Sequence, residues 1–486
     1  MRLFRCLLGL ACCLLCLGSL SAQYRLSATT LNKVPEARMP AQDNATLLAA
    51  ELAARRPGRA NAFAVTLPVK IRPEQNGLWT LEGNALVWRQ RISSPGAKTL
   101  NLGFGEFNLP AGAELYLVSP EERLGPFTPA DNEDHNQLWT PVVRGDELLV
   151  ELRVPPMAKD RVQLYLTSVN HDFEDITKLV SGECNVDVVC GSADGWPIVD
   201  RYRDIIRSVA AYTINGRNTC TGFLVNNVNQ DGTPLFMTAD HCGVTAGRAP
   251  SMVAYWNYQN SNCRRVTPGT GNESGGSNGR RNIFNSGSTL LATFPNTDFT
   301  LLLLDDPVVD AANAFFAGWS AEAALPQDTV VCIHHPGVQE KRISFSFQQV
   351  FRTFSRGGND PDPNGNHLEV PDWDIGTTEG GSSGSPIFDR FGRVRGQLFG
   401  GDAACNNDFY DVYGFFHSSW TGGGTPDSRL MDWLDPCGTG QLTSMASTPP
   451  TNRPPWWPTF TAGPVVTKRT TASPSRWGMA LPPVLR

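Results

Sequence analysis

Between residues 78 and 169 the chain carries short runs that are alternating or apolar: Leu78 to Leu81, Ala85 to Ile92, Thr99 to Phe104, Glu114 to Val118, Glu147 to Val154 and Arg161 to Val169. Gly, Pro and Asn bound the runs. A period of two sends successive side chains to opposite faces of a strand, so these runs predict a β-sandwich within 23–178. From Leu179 to about Leu434, short apolar runs alternate with glycine-rich loops, interrupted by polar insertions at 267–285 and 356–366. This pattern fits two six-stranded antiparallel barrels and one amphipathic helix near Asp427 to Leu434. Beyond Cys437 the periodicity stops. Residues 441–486 are rich in Pro and Thr, contain no acidic residue and read as a disordered tail. The fold class is therefore all-β, in two domains, 23–178 and 179–440, with a further segment at each end.

Composition narrows the class. With 41% hydrophobic and 18% charged residues, 46 Gly and 36 Pro, the chain is globular and turn-rich. A net charge of −6 and scattered basic residues argue against a nucleic-acid partner. Met1 to Arg5 carries positive charge, Cys6 to Leu17 is apolar and small residues run to Ala22. These are the three regions of a secretory signal, 1–22, cut near Ser21 or Ala22. The apolar run is too short to span a bilayer, no later run of that kind reaches 18 residues, and no membrane association is expected. Four of the twelve cysteines fall in the signal; the other eight, Cys184, Cys190, Cys220, Cys242, Cys263, Cys332, Cys405 and Cys437, all lie in the second region. An even number in a secreted chain predicts a disulfide framework, although eight cysteines permit 105 connectivities. The pair His334-His335 near Cys332 invites a zinc reading, but those eight include no CxxC and the chain has no HExxH. Neither metal nor other cofactor is expected.

The chemistry centres on Gly380 to Pro386, Gly-Gly-Ser-Ser-Gly-Ser-Pro. Alone, such a stretch is a flexible linker. Here it runs into Pro-Ile-Phe-Asp and Val-Arg-Gly-Gln-Leu-Phe, which are strand patterns, so the turn holds a serine on a folded edge. A nucleophilic serine needs an imidazole to take its proton and a carboxylate to fix that imidazole's tautomer. Thr-Ala-Asp-His-Cys at 238–242 and Thr-Asp-Phe-Thr-Leu-Leu at 297–302 supply both. The order His241, Asp298, Ser383 is that of the two-barrel serine proteases. The backbone amides of Gly381 and Ser383 are the candidates for binding an oxyanion.

At these residues the chain resembles bacterial lysyl endopeptidases, secreted lysine-specific proteases of the chymotrypsin clan. The likeness covers about Leu179 to Gly440. It rests on Cys-Asn-Val-Asp-Val-Val-Cys at 184–190, Cys-Thr-Gly-Phe-Leu-Val-Asn-Asn at 220–227, Tyr-Trp-Asn-Tyr-Gln-Asn-Ser at 255–261, Ile-His-His-Pro at 333–336, the serine turn and Ser-Trp-Thr-Gly-Gly-Gly at 419–424. The resemblance implies a chymotrypsin-like double β-barrel, cleavage after lysine through an acyl-enzyme, and a preceding β-sandwich pro-domain that is removed on maturation. It implies the pairs Cys184–Cys405, Cys190–Cys263 and Cys220–Cys242. Cys332 and Cys437 depart from the family pattern and are left as a possible fourth bridge. Asp411, in Asp-Val-Tyr-Gly-Phe-Phe-His-Ser-Ser-Trp at 411–420, matches the aspartate that binds the substrate lysine; Asp402 and Asp408 are its competitors in the same loop. Protein or peptide substrates and the chain's own pro-domain are the implied partners, and a monomer is expected.

Three departures qualify the picture. The family places a histidine before the glycine pair that is Gly400-Gly401 here and stacks it on a tryptophan; this chain has Phe399, with Phe354 expected opposite. Arginine acceptance alongside lysine is therefore open. Ser382 stands where trypsin-like zymogens carry an aspartate for the new amino terminus, so activation by terminus insertion is not expected. Asp240 places a further carboxylate beside His241, which could favour the protonated base. Lys178 precedes Leu179-Val180-Ser181-Gly182-Glu183-Cys184, which resembles the mature family N-terminus, and suggests self-cleavage of the zymogen there. A catalytically silent secreted adhesin is the rival reading, against which the complete set of three residues argues.

Overall fold

The computed structural model describes residues 33–177, 183–264, 276–354 and 361–448. The expected signal, Lys178, Leu179 and most of the expected tail lie outside the described residues.

The N-terminal domain is built where the alternation put it. A strand such as Glu114–Val118 buries Leu115 and Leu117 while Glu114, Tyr116 and Val118 stay partly exposed. One sheet orders Glu36–Arg38, Ala85–Ser93, Glu147–Val154, Glu114–Val118 and Arg123–Phe127, with Leu78–Glu82 also on Ala85–Ser93. The facing sheet orders Val143–Arg144, Thr99–Asn108, Gln163–Asp172 and Ala64–Ile71, with Leu138–Trp139 on Thr99–Asn108. Between them Ile92, Leu100, Leu102, Phe104, Leu148, Val150 and Leu166 form the core. Each buried leucine of this kind contributes about 1.5–3 kcal/mol of transfer free energy. The helix Asn44–Ala54 was not anticipated. Asp43 caps it by accepting from the Thr46 amide at 3.1 Å, and its one buried residue is Glu51.

The second region forms two sheets, each curled around a core. The first orders Phe284–Ser286, Val253–Tyr255, Val209–Ile214, Asn218–Leu224, Leu235–Ala239, Phe299–Leu304 and Ser288–Phe294. The second runs Val186–Asp187, Arg342–Ser346, Val330–His334, Pro386–Asp389, Val394–Gly401, Asp411–Phe415, His367–Val370 and Phe351–Thr353. Phe236, Trp256 and Leu302 fill the first, Leu368, Leu398 and Tyr413 the second. Met237, Leu301, Trp319, Val331 and Phe388 seal one against the other. This is the expected double barrel.

Two details correct the sequence reading. The helix expected at 427–434 is a 3₁₀ turn at Pro426–Ser428 followed by a single α turn at Met431–Leu434, and a further short helix occupies Phe416–Thr421. The tail does not begin at 441. Thr443–Ser444 pairs with Trp319–Ser320, and Ser447 bridges Phe316, because their backbone groups complete the edge of the second sheet.

Candidate active site

Ala239 pairs with Phe299 at the end of two antiparallel strands, so the residues just beyond one and just before the other are neighbours. These are Asp240-His241 and Asp298. Asp298 has φ +55°, a left-handed conformation that short polar side chains tolerate, and this turns its carboxylate back toward the histidine. Its Oδ2 lies 2.8 Å from His241 Nδ1, and its Oδ1 accepts from the His241 amide at 2.9 Å. Asp298 is 3% exposed. With Nδ1 facing the carboxylate, Nε2 is the free ring nitrogen; it is buried and hydrogen-bonded to no described atom. The disulfide Cys220–Cys242 fixes the chain immediately after the histidine. Asp240 is held by a neighbouring strand while remaining within reach of the charge on His241. Thr293 donates to it at 2.7 Å, and burial pushes its carboxyl above the usual range.

The serine turn docks against the first sheet. Thr221 donates its amide to the Ser383 carbonyl at 2.9 Å and its hydroxyl to the Gly381 carbonyl at 2.8 Å. Two glycines make this approach possible. A Cβ on Gly384 (φ +81°) would sit 2.3 Å from Thr238 Oγ1, and one on Gly381 (φ +98°) 2.7 Å from the Val338 amide nitrogen. Both are forbidden separations at conformations that side chains rarely adopt. The amides of Gly381 and Ser383 donate to no group among the described residues. Ser382 is buried, and its hydroxyl meets His334 Nδ1 at 2.8 Å, while His334 Nε2 meets Ser344 Oγ at 3.0 Å. Burial lowers the His334 pKa to about 3, so this contact is between neutral groups.

Behind the serine, Asp411 is 1% exposed. It sits opposite Gly401, where the absence of a side chain leaves the carboxylate uncovered from that strand. Trp373 Nε1 and Thr378 Oγ1 both donate to its Oδ2 at 2.7 Å, whereas Oδ1 is buried with no hydrogen-bond partner. Burial raises its pKa from 3.8 to about 6. A desolvated carboxylate with an unpaired oxygen attracts a cation.

Residues 179–414 match the family model of the lysyl endopeptidase C-terminal domain. The chain is a serine endopeptidase whose residues 179–414 resemble the C-terminal domain of lysyl endopeptidases. Over 351 residues it is 26% identical to a lysyl endopeptidase of Pseudomonas aeruginosa, an alignment that covers 67% of this chain and 72% of that protein. Among solved structures it overlaps the active form of the Rv3671c protease of M. tuberculosis (18% identity, 49% of this chain, 85% of the other, TM-score 0.28). It also overlaps the HtrA-type protease AlgW with a tripeptide (13%, 46%, 60%, TM-score 0.29). Both overlaps are too slight to carry an argument.

In this endopeptidase domain Cys184–Cys405, Cys190–Cys263 and Cys220–Cys242 are disulfides, which fit an oxidising compartment. No described helix is long and apolar enough to cross a membrane. The fourth bridge is absent. Cys332 is buried in the second sheet with Sγ 3.3 Å from Ser385 Oγ, and Cys437 is an exposed thiol near Asn229. A bulge between Leu398 and Gly400 re-aims Phe399. Its ring neighbours are His241 at 5.7 Å and His367 at 6.0 Å. Phe354, just beyond the strand Phe351–Thr353, is 47% exposed. His367, Trp373 and Thr378 escaped the sequence reading. Thr378, five residues before the serine, was the one with a positional signal.

Proposed function

We propose that this protein is a secreted serine endopeptidase that hydrolyses peptide bonds on the carboxyl side of lysine. The observation that carries the reading is the unpaired, buried Oδ1 of Asp411 behind the serine turn. A lysyl ammonium entering the pocket would pair with it and hold it ionised. Ser383 Oγ then attacks the carbonyl carbon, with His241 Nε2 taking the hydroxyl proton and Asp298 stabilising the imidazolium. The amides of Gly381 and Ser383 donate to the oxyanion. Collapse of the tetrahedral state expels the amine, which takes the proton from His241, and water hydrolyses the acyl-enzyme by the reverse sequence. Phe399 edges onto His241 and excludes water from the base.

The N-terminal domain, 23–178, is on this reading a pro-domain that the enzyme removes itself. Ser382 meeting neutral His334 supports a cleft that needs no inserted terminus. The test is maturation of the chain. N-terminal sequencing of the active protein should begin at Leu179, and the Ser383→Ala protein should keep its N-terminal domain. A Leu179 terminus accumulating in purified Ser383→Ala protein, or a different start in the active form, would overturn self-cleavage after Lys178.

A further inference from the structure

The N-terminal domain sends one short segment through the cleft. After the helix Asn44–Ala54 the chain passes Pro57 and Gly58 over Phe399 and Gly400 of the second sheet. A Cβ on Gly400 would lie 3.1 Å from Pro57 Cβ, and one on Gly58 (φ +72°) 3.0 Å from the Phe399 ring. Asn61 and Ala62 then pair antiparallel with Thr219 and Asn218, and the Phe63 amide donates to the Arg217 carbonyl at 2.9 Å. Asn61 also reaches the serine turn, its Nδ2 lying 2.5 Å from where a Cβ on Gly380 would stand. The segment thus enters on one barrel and leaves on the other, as an added strand. Phe399, at the entrance, touches His241. Ala60, at the exit, packs against the core that contains Cys220 and Cys242. Two residues span at most about 7 Å of extended chain, so Arg59 and Ala60 must cross the gap that Ser383 and His241 flank.

The residue at the crossing is basic, yet it does not enter the pocket. Arg59 Nη1 and Nη2 donate to Glu51 Oε1 and Oε2 at 2.9 and 2.7 Å, and the Ala62 amide donates to Oε1 at 3.0 Å. Glu51, the one buried residue of the helix, therefore holds the segment on both sides of the Arg59–Ala60 bond. A bidentate guanidinium–carboxylate pair of this kind is geometrically strict. Asp411 Oδ1, meanwhile, has no partner.

We propose that Pro57–Ala62 is a built-in substrate of this protease, with Arg59–Ala60 in the scissile position, and that Glu51 keeps the bond uncut by withholding the Arg59 side chain from Asp411. The inference rests on the serine-protease reading and adds a second processing site to it. It also predicts latency. A tethered segment competes at an effective concentration of about millimolar or more, so external peptides are excluded while the domain stays docked.

The test uses the intact chain with Glu51→Gln, which retains an acceptor for the Ala62 amide but loses the charge, and separately with Arg59→Lys, which loses the bidentate fork. In the first the charge, and in the second the fork, no longer holds the residue-59 side chain on Glu51, so it can enter the pocket more readily. Ser383 Oγ would bond to the residue-59 carbonyl carbon, the Ala60 amine would leave carrying the proton, and water would release the acyl group. Mass spectrometry should then find a fragment beginning at Ala60, formed at least about tenfold faster than in the wild type and at a rate independent of protein concentration. Addition of Ser383→Ala should abolish it. The proposal is overturned if both variants turn over a lysyl ester after maturation yet cut 59–60 no faster than the wild type. If no matured form turns over the ester, the protease reading itself fails and this inference falls with it.

Discussion

Replacement of Ser383 or His241 by alanine is expected to reduce peptide hydrolysis to near background, a loss of about six orders of magnitude, because the members of such a set act as one unit and their losses do not add. The geometry makes Asp298 more specific to test. Its Oδ2 faces His241 Nδ1 while its Oδ1 takes the His241 amide, so one carboxylate sets both the ring's tautomer and its position. Asp298→Asn keeps the size and the possibility of accepting the amide, but it can offer an N–H where Nδ1–H needs an acceptor. The protein should fold and be slower by about four orders of magnitude. Steady-state rates of the three purified variants on one ester substrate check this. Retention of more than about a tenth of the wild-type rate in any of them would remove that residue from the reaction.

Asp411→Asn is expected to separate binding from chemistry. Removing the charge that pairs with a buried cation costs about 3–5 kcal/mol, so kcat/KM on lysyl substrates should fall by roughly two to three and a half orders of magnitude. Labelling of Ser383 by a small fluorophosphonate, which needs no cation pocket, should persist. The pH dependence follows from the same burial. The carboxyl titrates at about 6 in the free protein instead of 3.8. Below about 6 it is protonated and cannot pair with an ammonium, so KM for lysyl esters should climb as pH falls through that value. For stability the sign is opposite to that of a salt-bridged acid. A raised carboxyl pKa favours the fold at low pH, and that contribution is lost as pH rises through 6. Asp411→Asn should accordingly leave thermal stability at pH 8 undiminished. An unchanged ratio of lysyl to neutral-residue cleavage would show that another carboxylate lines the pocket.

The strands were legible because alternation and short apolar runs are local signals: Glu114–Val118, which alternates, and Glu147–Val154, which is largely apolar, occupy the bounds that their patterns imply. The helix Asn44–Ala54 was not, since Ala and Leu surround it and its one buried residue is the charged Glu51, whose partners are Arg59 and the Ala62 amide rather than a core. His241, Asp298 and Ser383 lie far apart in sequence, but each sits in a short motif at the end of a strand, so their types and order could be read. Motifs do not report who faces whom. Phe399 was read as a lining residue of the substrate slot, but its ring neighbours, His241 and His367, were not foreseen; His367 is brought there by the pairing of His367–Val370 with Asp411–Phe415. Parity suggested a bridge between Cys332 and Cys437; one is sealed inside the second sheet and the other lies exposed beyond the last helical turn. The cleft-crossing segment was least legible of all. Its contacts with Thr219, Gly380, Phe399 and Gly400 join residues well over a hundred positions apart, and nothing in Arg-Pro-Gly-Arg-Ala-Asn alone marks it as an added strand.

The most direct measurement of the central claim is a digest of one denatured, sequence-known protein by the mature enzyme, with every new terminus read by mass spectrometry. The account predicts cuts on the carboxyl side of lysine, none in a parallel digest by the Ser383→Ala protein, and loss of that preference in Asp411→Asn. Termini scattered after neutral or acidic residues, or the same cuts appearing with the Ser383→Ala protein, would contradict it.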